Sequence, residues 1–95
     1  MNKALLRDLK RIAQTLPARY QIGKGELSPT VFALLDAALT ANELIKITVH
    51  ESVWETMQTQ LDALTQSLQA MIVQKIGHKL ILYRENPAIR KYASR

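Results

Sequence analysis

The stretch Gln21-Ile22-Gly23-Lys24-Gly25-Glu26-Leu27-Ser28-Pro29 holds the end of one element and the start of another. Gln21 and Ile22 close a short extended segment, two glycines flank a lysine, and Ser28-Pro29 opens a helix. A serine oxygen can accept from the free N–H groups of a first helical turn. Proline suits the first helical position, where no N–H is needed. Glycine permits positive φ and the close approach of another molecule. The free N–H groups and the helix dipole favour an anion, and Lys24 adds a mobile positive charge. Two readings are open here: a phosphate-contacting loop and an ordinary strand-to-helix turn, because a short glycine motif has low specificity. In both, a strand runs into a helix.

Beyond this stretch the alternation continues. The spacing predicts a helix over 29–41, with Val31, Leu34, Leu35, Ala38 and Leu39 buried, Phe32 at the margin, and Asn42 as a left-handed stop. Residues 43–49, Glu43-Leu44-Ile45-Lys46-Ile47-Thr48-Val49, form the clearest strand. Ile45, Ile47 and Val49 share one face; Leu44, Lys46 and Thr48 share the other, which is therefore only partly covered. Ser52-Val53-Trp54-Glu55 reads as a capping box, which starts a third helix at Ser52 and carries it to residue 69. Strands follow over 71–76 and 79–84, joined by Gly77-His78, a pair suited to a type II′ hairpin. Before the glycine loop, a helix over 2–16 has Leu5, Leu9, Ile12 and Leu16 on one side and Lys3, Arg7, Lys10 and Arg11 on the other. Pro17 ends it, and residues 19–22 form a short strand. The order is α-β-α-β-α-β-β. It predicts one α/β domain, a sheet with helices packed on it, with parallel crossovers first and an antiparallel hairpin last. Residues 86–95, with Arg90, Lys91 and Arg95, read as a mobile basic tail.

The charges are unevenly placed. The net charge of the 95 residues is +5. Residues 1–25 carry six cations against Asp8; residues 26–74 carry Lys46 against six acids; residues 75–95 carry six cations against Glu85. If the fold joins the basic ends, one face becomes strongly positive and attracts a polyanion. The alternative is a basic protein whose charges only keep it in solution.

The chemistry of a catalyst is missing. There is no cysteine, so disulfides, thiolate metal sites and a cysteine nucleophile are excluded. No pair of histidines has metal-ligand spacing, and the glycine loop lacks the Lys-Ser/Thr ending of a nucleoside triphosphate loop. His50 reads as a surface loop residue, and His78 as a turn residue or a stacking or phosphate contact. No apolar run approaches the ~20 residues of a membrane span. These features predict a soluble, cytoplasmic, non-enzymatic protein with no cofactor, metal or small-molecule substrate.

Ile22-Gly23-Lys24-Gly25, Glu43-Leu44-Ile45-Lys46-Ile47 and Val73-Gln74-Lys75-Ile76-Gly77-His78-Lys79-Leu80-Ile81-Leu82-Tyr83-Arg84 occur in order behind a basic helix. In this the chain resembles the stand-alone, YhbY-like members of the CRM (chloroplast RNA splicing and ribosome maturation) domain family, over about residues 3–85. The resemblance implies a four-stranded mixed sheet, similar to the C-terminal domain of bacterial translation initiation factor three. It also implies RNA binding, with bacterial members associating with precursors of the large ribosomal subunit. The family's G-x-x-G loop, likened to the backbone clamp of KH domains, falls on residues 23–26. Glu26 stands where the pattern has its second glycine. A carboxylate there repels phosphate, unless it turns outward or favours the dipole of the next helix.

The expectation is thus a CRM-like RNA-binding domain over 1–85 and a basic tail over 86–95, acting on ribosomal RNA or a large-subunit precursor. The candidate RNA-binding residues are Lys3, Arg7, Lys10, Arg11, Gly23, Lys24, Gly25, Lys46, Lys75, His78, Lys79 and Arg84, with Tyr83 a further stacking candidate. The competing reading is a protein-interaction adaptor that uses the sheet or the Gln-rich third helix.

Overall fold

A computed structural model describes residues 3–23, 28–89 and 92. Lys24 and Gly25, with Glu26, lie outside the described residues, as do Arg90, Lys91 and Arg95. The elements are α1 (Lys3–Thr15), β1 (Tyr20–Ile22), α2 (Pro29–Asn42), β2 (Leu44–Val49), α3 (Glu51–Thr59), α4 (Leu61–Leu68), β3 (Met71–Ile76) and β4 (Lys79–Tyr83). The four strands form one sheet in the order β1-β2-β4-β3. β1 lies parallel to β2, while β2–β4 and β4–β3 are antiparallel. This is the mixed α/β sheet expected from the alternation, and the chain builds it around two cores.

One core lies between the sheet and α2, α3 and α4. Ile45, Ile47 and Val49 of β2 meet Leu35, Leu39, Met57, Leu64 and Leu80 there. The second core lies on the other face, under α1, where Leu9 and Ala13 pack on Leu44, Val73, Ile81 and Tyr83. The two inner strands are covered on both faces, which is why β2 reads as an almost unbroken apolar run. The face of β2 expected to be partly covered is therefore covered over Leu44 and Lys46.

Several local expectations change. The third helix is two helices, interrupted at Gln60 (φ −108°, ψ 3°). There the Thr59 hydroxyl donates to the carbonyl of Thr56, and the Gln60 N–H turns back to Met57 at 3.0 Å. A helix hydrogen bond is thus replaced by a tighter turn. The N-cap of α3 is His50, not Ser52: its Nδ1 accepts the Ser52 N–H at 3.1 Å. Asn42 stays helical, donating to the carbonyl of Ala38 and to the Tyr20 hydroxyl. The positive φ falls one residue later, at Glu43 (φ 64°). A non-glycine residue there is strained by about 1 kcal/mol or more. Its fully buried carboxylate accepts the Asn86 N–H at 3.0 Å, which holds the segment after β4 in place. Leu34 is 49% exposed, because it lies about 100° around the helix from the buried Leu35. Tyr92 is buried, edge-on to Tyr83 at 6.5 Å between ring centroids, so this residue of the segment 86–95 packs against the domain while residues 87–89 are exposed.

The Gly77-His78 hairpin has the expected geometry. Ile76 pairs with Lys79 across a two-residue loop, and Gly77 has φ +56° while His78 does not have positive φ. That combination fits type II′ and calls for glycine at its first position.

Candidate nucleic-acid interface

The carboxyl ends of β1 and β2 and the β3–β4 turn meet at one end of the sheet. Two backbone hydrogen bonds bind them together: the His50 N–H donates to Ile22 O at 2.9 Å, and the Val49 N–H donates to His78 O at 2.8 Å. Gly23 follows Ile22 here, and α3 begins here at His50. Ser28 caps α2, its hydroxyl oxygen accepting the Val31 N–H at 3.3 Å. The capped starts of α2 and α3 each follow a parallel strand, the arrangement in which open α/β sheets present positive helix ends to ligands. The His78 ring lies against Trp54 at 5.4 Å between centroids, tilted by 47°.

The sheet is open on the α1 side at this end. Gln21, Thr48, Lys79 and Ile76 lie side by side across all four strands. They alternate with Ile22, Val49 and Leu80, so they face the α1 layer. α1 buries the rows below, containing Lys46 and Ile81 and then Leu44 and Tyr83, but leaves this last row uncovered: Gln21 and Lys79 are exposed, and Ile76 is 39% exposed. Gly23 sits beside the row. A Cβ built on Gly23 meets nothing within 4 Å, and its φ is not positive, so the fold itself does not require glycine there.

The charge pattern of the sequence becomes a split across the sheet. Lys3, Arg7, Lys10 and Arg11 are all exposed on α1, opposite the buried Leu9 and Ala13. Only Arg11 has an acidic partner among the described residues, Asp8 at 3.5 Å, and a pair this exposed holds little energy. Lys79 lies in the open row on the same side, and Lys75 and His78 are exposed around the hairpin. The other layer carries exposed acids on α3 and α4: Glu51, Glu55 and Asp62.

The structure brings Gly23, Lys75, His78 and Lys79 to one end of the sheet, with the basic side of α1 on its open face. Two expected members stand elsewhere. Lys46 is only 8% exposed. Its ammonium turns under α1 and donates to the carbonyls of Ala13 at 2.8 Å and Leu16 at 3.2 Å, satisfying the end of that helix. Arg84 is at the opposite end of the hairpin, held to the Asp36 carboxylate at 2.7 Å, Thr40 Oγ1 at 2.8 Å and Leu68 O at 2.8 Å. Both cations are engaged by the fold, which charge counting cannot detect. Conversely, the sequence pattern assigns Trp54 to packing alone and gives no role to Gln21 or Thr48. The period-two alternation around Ile22 and Val49 is the available signal for the open row. Tyr83 is buried, its hydroxyl without a hydrogen-bond partner, so it offers no ring for stacking. Among the described residues no group of three or more His, Cys, Asp or Glu side chains could hold a metal ion, and no helix is long and apolar enough to cross a membrane.

Comparisons with known proteins bear on the family of the chain. Residues 1–84 match the family model of the CRS1 / YhbY (CRM) domain. The chain is 32% identical over 80 residues to "Probable RNA-binding protein YqeI" of Bacillus subtilis, covering 84% of this chain and 83% of that protein. It is 38% identical over 76 residues to a Haemophilus influenzae protein named "RNA-binding protein", covering 80% of this chain and 77% of the relative. The solution structure of the hypothetical protein SAV1595 from Staphylococcus aureus superposes with a TM-score of 0.73 at 27% identity, covering 90% of each chain.

Proposed function

Because this chain belongs to the CRS1/YhbY (CRM) domain family, we propose that it binds single-stranded or looped RNA on the α1 side of its sheet. The observation that carries the proposal is the charge split. The free cations of α1 and Lys79 lie on the α1 side of the sheet, while the exposed acids of α3 and α4 occupy the opposite helical layer. A phosphate backbone is attracted to the first side and repelled by the second.

In this reading Lys3, Arg7, Lys10 and Arg11 attract phosphates along α1. Gly23 lets the strand approach the backbone, and Lys24 and Gly25 extend that contact. Lys79 holds the strand in the open row, and at the sheet end, where both faces are within reach, Lys75 adds a charge and His78, already braced by Trp54, offers a ring on which an unpaired base can stack. Lys46 and Arg84 lie off this surface, and the protein binds without catalysing a reaction: His50 serves as a helix cap.

The family resemblance extends the proposal to ribosomal RNA, in precursors of the large subunit. Sedimenting a cell lysate through a sucrose gradient tests that extension. Co-sedimentation with large-subunit precursors at low salt is the expected result. Absence from every ribosomal fraction at both low and moderate salt would sink the ribosomal role while leaving RNA binding to be tested directly.

A further inference from the structure

A cavity of about 280 Å³ opens at the other end of the sheet, beside the starts of β1 and β2. Its walls include Arg19, Tyr20, Asn42, Lys46 and Tyr92. None of these except Lys46 belongs to the surface or the candidate residues considered above.

The polar groups of this cavity are held in place and partly unspent. The Asn42 Nδ2 donates to the Tyr20 hydroxyl at 3.2 Å and to Ala38 O at 3.0 Å. That leaves the Asn42 Oδ1 as an acceptor and the Tyr20 hydroxyl hydrogen as a donor. The Lys46 ammonium has three N–H donors, and Ala13 and Leu16 take two. Arg19 is exposed and has no ion pair among the described residues. A fixed amide and the partly exposed Tyr20 phenol suit the edge and face of a planar base. A guanidinium and the remaining lysine donor suit a phosphate. The volume is just below the ~300–1,000 Å³ of pockets that enclose drug-sized ligands, a size for one nucleotide.

We propose that this cavity takes a single nucleotide, its base against the Tyr20 ring and the Asn42 amide, and its phosphate at Arg19 and Lys46. The nucleotide is either a residue of the bound RNA or a free mononucleotide. Only the first source rests on the RNA-binding reading.

Amide shift mapping on the isotope-labelled full chain tests this. The probes are AMP, CMP, GMP, UMP, inorganic phosphate and a short single-stranded RNA. The expected result is a saturable set of shifts at residues 19, 20 and 42–46 with at least one mononucleotide, and roughly tenfold weaker binding in Arg19→Ala. The same set of shifts with the RNA assigns the nucleotide to the strand; shifts with mononucleotides alone assign it to the free ligand. Equal shifts and affinity with inorganic phosphate alone would overturn the proposal, since the base would contribute nothing. So would the absence of shifts there with every nucleotide and with the RNA. A Lys75→Gln/Lys79→Gln variant should leave mononucleotide binding unchanged. If that variant also keeps full RNA affinity, the sheet-end RNA surface fails while the cavity assignment stands.

Discussion

The Nζ of Lys46, in the middle of β2, lies 2.8 Å from the carbonyl oxygen of Ala13 in α1. A second hydrogen bond reaches Leu16 O at 3.2 Å. The ammonium meets the negative end of the α1 dipole in a nearly buried setting, where charge-assisted hydrogen bonds are strongest. Lys46→Met fills similar volume but leaves Leu16 O without its donor and Ala13 O with only the long bond from the Leu16 N–H at 3.3 Å. It should destabilise the protein by about 2 kcal/mol, which lowers Tm by roughly 10 °C at this chain length. Thermal unfolding followed by circular dichroism checks this. An unchanged Tm would mean that α1 is held by its apolar side alone, Leu9 and Ala13 with Leu5, Leu6 and Ile12.

Arg84 does a related job on the opposite face, joining β4 to α2 through Asp36 and Thr40 and to α4 through Leu68. The side chains of Arg84 and Asp36 are 20% and 61% exposed. The fork geometry, more than the ion pair, therefore holds the elements together. Arg84→Lys should cost about 1 kcal/mol and Asp36→Asn less, because the Asp36 and Leu68 carbonyls still accept from the guanidinium. RNA affinity should stay within twofold in Arg84→Lys, measured by fluorescence anisotropy, as that cation faces away from the proposed surface.

Gly23→Ala separates a folding role from a binding role. Nothing lies within 4 Å of the added Cβ and the backbone φ is not positive, so stability should change by no more than about 0.5 kcal/mol. RNA affinity should fall severalfold, because the methyl group stands where the strand approaches. Full affinity in this variant would remove Gly23 from the interface. A large loss of stability would show that glycine is needed by the loop itself.

The Tyr83 hydroxyl is buried without a hydrogen-bond partner. Burial raises its pKa above the ordinary 10.0, and the negative charges of Glu43 and Glu85 raise it further. For a group whose folded pKa is raised, the stabilising contribution is complete below the unfolded value and fades as pH rises through the folded one. The ionised form is penalised in the folded chain, so Tyr83 lowers stability as pH rises above 10, the value at which the unfolded chain begins to ionise. Tyr83→Phe removes both the orphaned hydroxyl and the titration. It should match or exceed the native stability at neutral pH by up to about 1 kcal/mol, and lose less stability at alkaline pH. Denaturant titrations at neutral and alkaline pH, compared between the two proteins, check the sign.

The fold was legible where the chain repeats a period. The alternation of Ile45, Ile47 and Val49, the apolar side of α1, and Gly77-His78 all led to the elements observed. Errors fell where a single polar side chain decides the local backbone. Thr59 competes for a carbonyl and breaks a helix whose apolar stripe runs on through Gln60 into Leu61. His50 displaces Ser52 as a cap, because its ring reaches the Ser52 N–H. Glu43 takes the positive φ expected for Asn42, since its carboxylate gains the Asn86 N–H. The site was half legible for a similar reason. The clustering of charge showed that one surface is basic, but a lysine that caps a distant helix and an arginine that ties three elements look, in sequence, the same as free cations.

The central claim is that RNA is held on the α1 side and not on the α3–α4 side. The most direct test measures RNA affinity by fluorescence anisotropy across a salt series for two variants of equal and opposite charge change. One removes cations from the proposed side, Lys10→Gln with Lys79→Gln. The other removes acids from the far layer, Glu55→Gln with Asp62→Asn. The first should weaken binding and lower the slope of log affinity against log salt by ~0.7 for each single-strand phosphate that the protein no longer neutralises. The second should leave the slope unchanged. Unchanged slopes in the first variant, or equal and opposite shifts in the two, would mean that the protein attracts RNA by net charge alone and contradict a one-sided interface.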